Sequence, residues 1–148
     1  MLIMEGKGDM GLNINTFTEI TLYSKQRVEF IDLTAEINQK LKECSINEGI
    51  CSVFVPHTTA GLTINENADP DVKHDIINFL NKLVPFSGEY RHLEGNSDAH
   101  IKASLMGPSL TIPVLHAKLA LGTWQGVYFC EFDGPRKRKV YIKVIGLK

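Results

Sequence analysis

The chain has 148 residues, 43% of them hydrophobic and 22% charged, enough for one domain with a proper core and too few for two. Its formal net charge of −1 excludes a nucleic-acid protein driven by bulk electrostatics. No apolar run approaches the length of a membrane span.

Residues 1–12 (MLIMEGKGDMGL) lack the basic-then-apolar order of a signal peptide. They hold Met1, Met4 and Met10, which leaves the true start open. A disordered extension is expected over 1–12, followed by a single domain over 13–148. Cys44, Cys51 and Cys130 show no CxxC spacing. Each sits in an apolar setting, so they read as small buried thiols in a reducing cytoplasm.

In chain order, Thr16–Tyr23 (TFTEITLY) is rich in β-branched and aromatic residues and predicts a strand. Ser24-Lys25-Gln26 turns it into a second strand, Arg27–Ile31. Thr34 is expected as the N-cap of an amphipathic helix from about Ala35 to Cys44, with Ile37, Leu41 and Cys44 on its apolar face. Cys51–Val55 is a compact apolar strand that ends on Pro56-His57-Thr58-Thr59-Ala60-Gly61, and Leu62–Glu66 alternates as the next strand. Asp69 and Pro70 start a second helix as N-cap and first helical residue. Its predicted buried stripe is Val72, Ile76, Phe79, Leu80 and Leu83, opposite Asp71, His74, Asp75 and Asn78.

After Pro85 the pattern lapses into a polar loop. Asp98 then serves as the expected N-cap of a short third helix that buries Ile101 and Leu105 and carries His100 and Ser104 on another face. Leu110–Leu115 predicts a strand whose Pro113 belongs at an edge or bulge. Leu119-Ala120-Leu121 returns, and Thr123–Phe132 and Lys139–Ile145 follow as strands around the turn Asp133-Gly134-Pro135. Short links between strands make the sheets largely antiparallel. The expected fold class is α+β: a single domain, mostly antiparallel sandwich or partly closed barrel, with two main helices packed on one side.

Chemistry-bearing residues concentrate in Tyr90–Ser104, which holds Arg91, His92, Glu94, Asn96, Asp98, His100, Lys102 and Ser104. They recur at strand ends as His57-Thr58, Asn65-Glu66 and Trp124-Gln125. Such a set suits a pocket at strand ends, where ligands bind. The histidines obey no tight metal spacing, since HExxH and HxH are both absent. The run Arg136-Lys137-Arg138-Lys139 reads first as a solvated hairpin end and second as a phosphate clamp.

Three dispersed stretches together resemble the signatures of the YjbQ-like family, also labelled secondary thiamine-phosphate synthase. The first is Pro56–Asn67 with Asp69-Pro70-Asp71 and His74-Asp75. The second is His92, Glu94-Gly95-Asn96, Asp98–Ser104 and Gly107. The third is Leu121–Gly126, Glu131 and Gly134-Pro135-Arg136. The match spans roughly residues 15–147 in the family's order. It implies a mostly antiparallel α/β domain packed as a homotrimer, with a polar, histidine-rich pocket. It also implies weak thiamine phosphate synthesis from a hydroxymethylpyrimidine diphosphate and a thiazole phosphate. One departure is Leu115-His116-Ala117-Lys118, where relatives carry a glycine-containing turn; a looser turn is expected, with His116 at the surface.

On that resemblance each expected site residue has a role. His57 is the general acid, and Glu66, Asp75, Glu94 and Asp98 are catalytic carboxylates. Glu66, Glu94 and Asp98 also suit Mg²⁺, while His74, His92 and His100 suit Zn²⁺. Thr58, Asn65, Arg91, Asn96, Lys102, Ser104, Gln125 and Arg136 bind ligand, the cations among them its phosphates, and Trp124 stacks on a heterocycle. The implied partners are a small phosphorylated metabolite and further copies of the chain, with no nucleic acid and no membrane. Two readings of other classes stay open: a metal-dependent hydrolase of a phosphorylated metabolite, and a trimeric small-ligand-binding module.

Overall fold

Period-two patterns dominate the chain, and they build the fold. In the computed structural model, which describes residues 13–148, β1 (Asn13–Tyr23) and β8 (Lys137–Leu147) pair antiparallel along their whole length, from Asn13↔Leu147 to Tyr23↔Lys137. The extension expected over residues 1–12 lies outside the described residues. The far edge of β8 pairs with β3 (Glu48–Phe54), which pairs with β5 (Ser109–Leu115) and its two-residue hairpin partner β6 (Lys118–Leu119). This five-stranded sheet has the order β1-β8-β3-β5-β6. A second sheet of three strands sets β7 (Gln125–Glu131) between β2 (Glu29–Asp32) and β4 (Ala60–Glu66). All pairings among the described residues are antiparallel.

The main core fills the space between the sheets. Val127 and Phe129 of β7 and Leu62 of β4 meet Val140, Ile142, Val53 and Ile112 of the large sheet. Helix α1 (Thr34–Glu43) joins this core through Ile37 and Leu41. Helices α2 (Pro70–Leu83) and α3 (Ser97–Met106) instead cover the other face of the small sheet, where Leu80, Ala99 and Ala103 pack on Phe30, Tyr128, Cys130 and Phe132. The result is three layers: large sheet, small sheet, helix pair. No helix among the described residues is long and apolar enough to cross a membrane.

Several local expectations are corrected. Thr34 is the first residue of α1 rather than its cap. Asp32 Oδ1 accepts the Thr34 N–H at 2.8 Å, and the Thr34 hydroxyl accepts the Val127 N–H at 2.9 Å, tying helix to sheet. Asp69 does cap α2, accepting from Asp71 N–H at 2.9 Å. Its stripe is rotated, however: Ile77 is half-buried while Phe79 and Leu83 face outward. Asp98 does not cap α3, whose N-cap is Asn96. That helix is inverted relative to its pattern, since Ile101 and Leu105 are exposed and Asp98, Ala99, Lys102 and Ala103 are buried. The hairpin at His116-Ala117 is tight, both residues adopting positive φ (52° and 61°) in a two-residue turn. The Ala117 N–H donates to Asn47 O at 2.9 Å, which holds a conformation that costs a non-glycine residue about 1 kcal/mol.

One buried ion pair spans the strand ends. Glu131 closes β7 on the face shared with Val127 and Phe129, and Arg138 begins the inward face of β8. Arg138 donates through Nε to Glu131 Oε2 at 2.8 Å and through Nη2 to Oε1 at 2.6 Å. Replacing one member leaves the other charge buried without a partner, so Glu131→Ala should destabilise the fold by about 3–5 kcal/mol in urea unfolding. Lys40→Ala, which breaks the exposed Lys40–Glu43 pair, should cost under about 1 kcal/mol in the same assay.

Candidate functional site

The large sheet hands the chain to the small one after β3, through Val55-Pro56-His57-Thr58-Thr59, and a cleft of about 500 Å³ opens along this crossover. Its walls come from His57 and Thr58, from the loop residues Glu94 and Asn96 with His100 of α3, and from Asp133, Arg136 and Arg138 around the β7–β8 turn. Helix α3 sits close to β4 because position 61 is glycine: a Cβ there would lie 2.9 Å from the Gly107 carbonyl. Leu62 N–H donates to that carbonyl at 3.0 Å, which fixes the helix end beside the cleft.

His57 occupies a place that β3 has vacated. The β3–β8 ladder ends at Phe54↔Tyr141, and the Lys139 N–H further along β8 donates to His57 Nε2 at 2.9 Å. A donor aimed at Nε2 requires a lone pair there, so the ring is neutral with its proton on Nδ1. Burial, with the Arg138 charge beside it, holds His57 below the usual histidine range, against a smaller opposing pull from Glu131. The neutral imidazole is therefore favoured near neutral pH, with its Nδ1–H left as the donor.

Beneath it the Glu131–Arg138 pair is completed by neighbours. Ser24 Oγ donates to Glu131 Oε2 at 2.9 Å, Asp133 N–H donates to Oε1 at 2.9 Å, and Arg138 Nη2 donates to Thr59 Oγ1 at 2.7 Å. Arg136 lies above, its side chain 54% exposed, donating through Nη2 to Asp133 Oδ2 at 2.9 Å and through Nε to the Asp133 carbonyl at 2.7 Å. The run 136–139 is therefore not uniformly solvated, because strand alternation turns Arg138 inward. Asn96 Nδ2 also donates to Asp133 Oδ2, at 2.8 Å. Its Oδ1 is the buried side-chain polar atom that lacks a partner among the described residues. An asparagine at an N-cap normally spends that oxygen on the helix amides; here the side chain is diverted to the cleft.

Six of the expected site residues thus come together: His57, Thr58, Glu94, Asn96, His100 and Arg136. His92 and Arg91 line an adjoining hollow that shares His100, with the two imidazoles edge to face at 5.2 Å. His92 Nε2 lies 3.6 Å from Glu94 Oε2. Ser104 borders the same region but donates its hydroxyl to the His100 carbonyl at 2.9 Å.

The others lie elsewhere. Asp98 and Lys102 face away from the cleft in a buried cluster with Arg27, which clamps Asp98 through two hydrogen bonds of 2.9 Å. Desolvation alone would push Asp98 up, but Arg27 and Lys102 outweigh it and hold the carboxyl below its ordinary range. Asn65, Glu66, Trp124 and Gln125 gather at the opposite end of β4 and β7, where Glu66 is paired with Gln125. Six steps of about 3.3 Å separate Ala60 from Glu66, or about 20 Å. Trp124 is 62% exposed there and does not line the cleft. His74 and Asp75 are exposed on α2, with His74 Nε2 2.9 Å from Asn78 Nδ2.

These placements bear on the expected metal. His74 stands apart from the His92–His100 pair, Asp98 is engaged by two cations, and Glu66 is at the far end. Among the described residues no group of three or more His, Cys, Asp or Glu side chains is arranged to hold a metal ion. Within one chain the expected zinc and magnesium ligand sets do not assemble.

Sequence reasoning did not single out Thr59 or Asp133, and it weighed Arg138 only as part of the run 136–139. The signal for Arg138 was available: extending the alternation of KVYIKVI one residue back puts it on the face of Val140 and Ile142.

The chain is thus a two-sheet α+β domain whose sheet-to-sheet crossover carries His57 into a cleft also lined by Arg136 and Arg138. A family model described as "UPF0047 protein YjbQ-like" matches residues 18–147, and the chain belongs to that family. It is 53% identical to a UPF0047 protein of Methanocaldococcus jannaschii over 137 residues, covering 93% of this chain and 99% of the relative. The UPF0047 protein YugU of Bacillus subtilis is 49% identical, with 86% and 97% covered. A crystal structure of a yjbq/upf0047 family protein from Clostridium acetobutylicum superposes with a TM-score of 0.84 at 54% identity, covering 86% of this chain and 98% of that one.

The depressed His57 pKa has a consequence for stability. The unfolded chain takes up a proton first, near the ordinary histidine value of about 6.5. Stability is therefore full above that value, falls as the pH drops toward the lower folded pKa, and loses nothing further from this group below it. Between about pH 7.5 and pH 5.5, melting temperature should fall less in His57→Gln than in the parent, because glutamine can still accept from the Lys139 N–H.

Proposed function

We propose that the cleft is the active site of a transferase acting on small phosphorylated metabolites. In its specific form it joins a hydroxymethylpyrimidine diphosphate to a thiazole phosphate with loss of pyrophosphate. The observation that carries this reading is that a half-exposed Arg136 guanidinium and a neutral His57 line one cleft. In the reaction the bond between the pyrimidine methylene carbon and the diphosphate oxygen breaks, and the oxygen keeps the electron pair. The thiazole nitrogen supplies the pair for the new C–N bond and becomes cationic. The leaving group gains charge, so the site must hold donors ready for it. Arg136, oriented by Asp133, and the Nδ1–H of His57 are such donors, and Thr58 offers a hydroxyl beside them.

Incubation of the purified protein with both substrates should yield thiamine phosphate and pyrophosphate in equal amounts, with Arg136→Ala lowering kcat/KM by about 10²–10³. Phosphate release without the thiazole partner would replace this reading with a hydrolase. Stoichiometric binding without turnover would replace it with a binding module.

We further propose that the working unit is a homotrimer in which one copy's Trp124 end closes the next copy's cleft. Two observations support this. The family-signature residues divide between ends of β4 about 20 Å apart, so one chain cannot bring them to one ligand. The outer face of the large sheet also exposes Phe17, Ile50, Phe54 and Ile145, an apolar area suited to a second copy. Light scattering should return three times the chain mass. Mixing inactive His57→Gln with inactive Trp124→Ala after subunit exchange should restore activity, and a monomer mass or a mixture that stays inactive would count against the shared site.

A further inference from the structure

Behind α3, on the side away from the cleft, a second hollow of about 520 Å³ is lined by Gln26, Arg27, Val28, Asn81, Phe86 and Lys102. Its charge is unbalanced. Among the described residues Arg27 and Lys102 hydrogen-bond to a single carboxylate, Asp98, and no acidic side chain lines the hollow; Asp133 acts on Arg27 from farther off and is itself paired with Arg136. Lys102 is only 1% exposed, and its ammonium donates to Asn81 Oδ1 at 2.7 Å and to Asp98 Oδ2 at 3.4 Å. Three N–H groups serve two acceptors, which leaves one to offer. Arg27 is held as well: both Nη atoms face Asp98, and its guanidinium carbon lies 4.2 Å from the centre of the Phe86 ring. Val28 and Phe86 supply the apolar wall.

We propose that this hollow binds a small organic monoanion with a flat apolar body, a carboxylate being the simplest. Its charge would meet Lys102 and Arg27, and its body would lie against Phe86 and Val28. One negative charge brings the cluster to neutrality, whereas a phosphate dianion would overshoot it. Burial holds Lys102 below the ordinary lysine range despite the Asp98 carboxylate, as expected of an ammonium short of negative neighbours. Nothing here depends on the chemistry assigned to the main cleft, since Asn96 and His100 approach that cleft from the other side of the helix.

Benzoate and its uncharged isostere benzamide are suitable probes, titrated into the intact protein by calorimetry and followed by amide shifts around Val28, Asn81 and Phe86. Benzoate should bind at least about tenfold more tightly than benzamide, the ratio expected of one hydrogen bond to a charged group. Lys102→Met keeps the Arg27–Asp98 pair intact and should remove that preference. Phe86→Ala, at an exposed position, should weaken both probes alike, which keeps the test open if Lys102→Met folds poorly. Equal binding of the two probes would overturn the proposal, as would undiminished preference in Lys102→Met or loss of benzoate binding in Arg136→Ala, which would move the anion to the main cleft.

Discussion

The structure turns on the ion pair between Glu131 and Arg138. Two charges sit between the sheets, where desolvation would be prohibitive were either left alone. Both carboxylate oxygens of Glu131 are used: Arg138 meets each, Ser24 joins one and the Asp133 amide the other. Four chain segments therefore converge on one acid: the end of β1, the end of β7, the start of β8 and, through Arg138 and Thr59, the crossover into β4. Two of these places, the crossover and the β7–β8 turn, also line the cleft. The need to keep a buried charge fully hydrogen-bonded thus fixes the floor on which His57, Thr58 and Arg136 stand.

Most of the fold was legible in the sequence because its strands alternate and its chain reversals are marked. Asp69-Pro70 announces α2 by local chemistry alone, and the structure places that cap as read. What resisted reading was set by distant partners. Helix α3 shows Ile101 and Leu105 four apart, the usual sign of a buried face. Yet the buried side carries Asp98 and Lys102, because Arg27 waits 71 residues upstream. No local pattern encodes that partner. The turn at His116-Ala117 failed for a similar reason: its positive φ values are tolerated because Asn47, far away in sequence, accepts the Ala117 amide.

The candidate site was legible as a residue set and less so as a geometry. His57, Thr58, Glu94, Asn96, His100 and Arg136 meet around one cleft, as their positions at strand ends and helix starts suggest. Asn65, Glu66, Trp124 and Gln125 are equally well placed at strand ends, but at the ends of β4 and β7 away from this chain's own cleft. A strand has two termini, and a motif list does not say which one faces the ligand. His74 followed its helix face into solvent, where its Nε2 meets Asn78 of the same helix rather than another histidine.

Strand β7 is covered on both sides, by the large sheet through Val127 and Phe129 and by the helices through Tyr128 and Cys130. Its amides can meet deuterated solvent only when the whole molecule opens. The segment Arg91–Gly95 belongs to neither core, and Leu93 is almost fully exposed; its amides should exchange in local fluctuations. The cleft thus has walls of two kinds. Where Glu131 and Arg138 stand it is as unyielding as the fold itself, and where Glu94 stands it can give way to admit a ligand without disturbing either layer behind it.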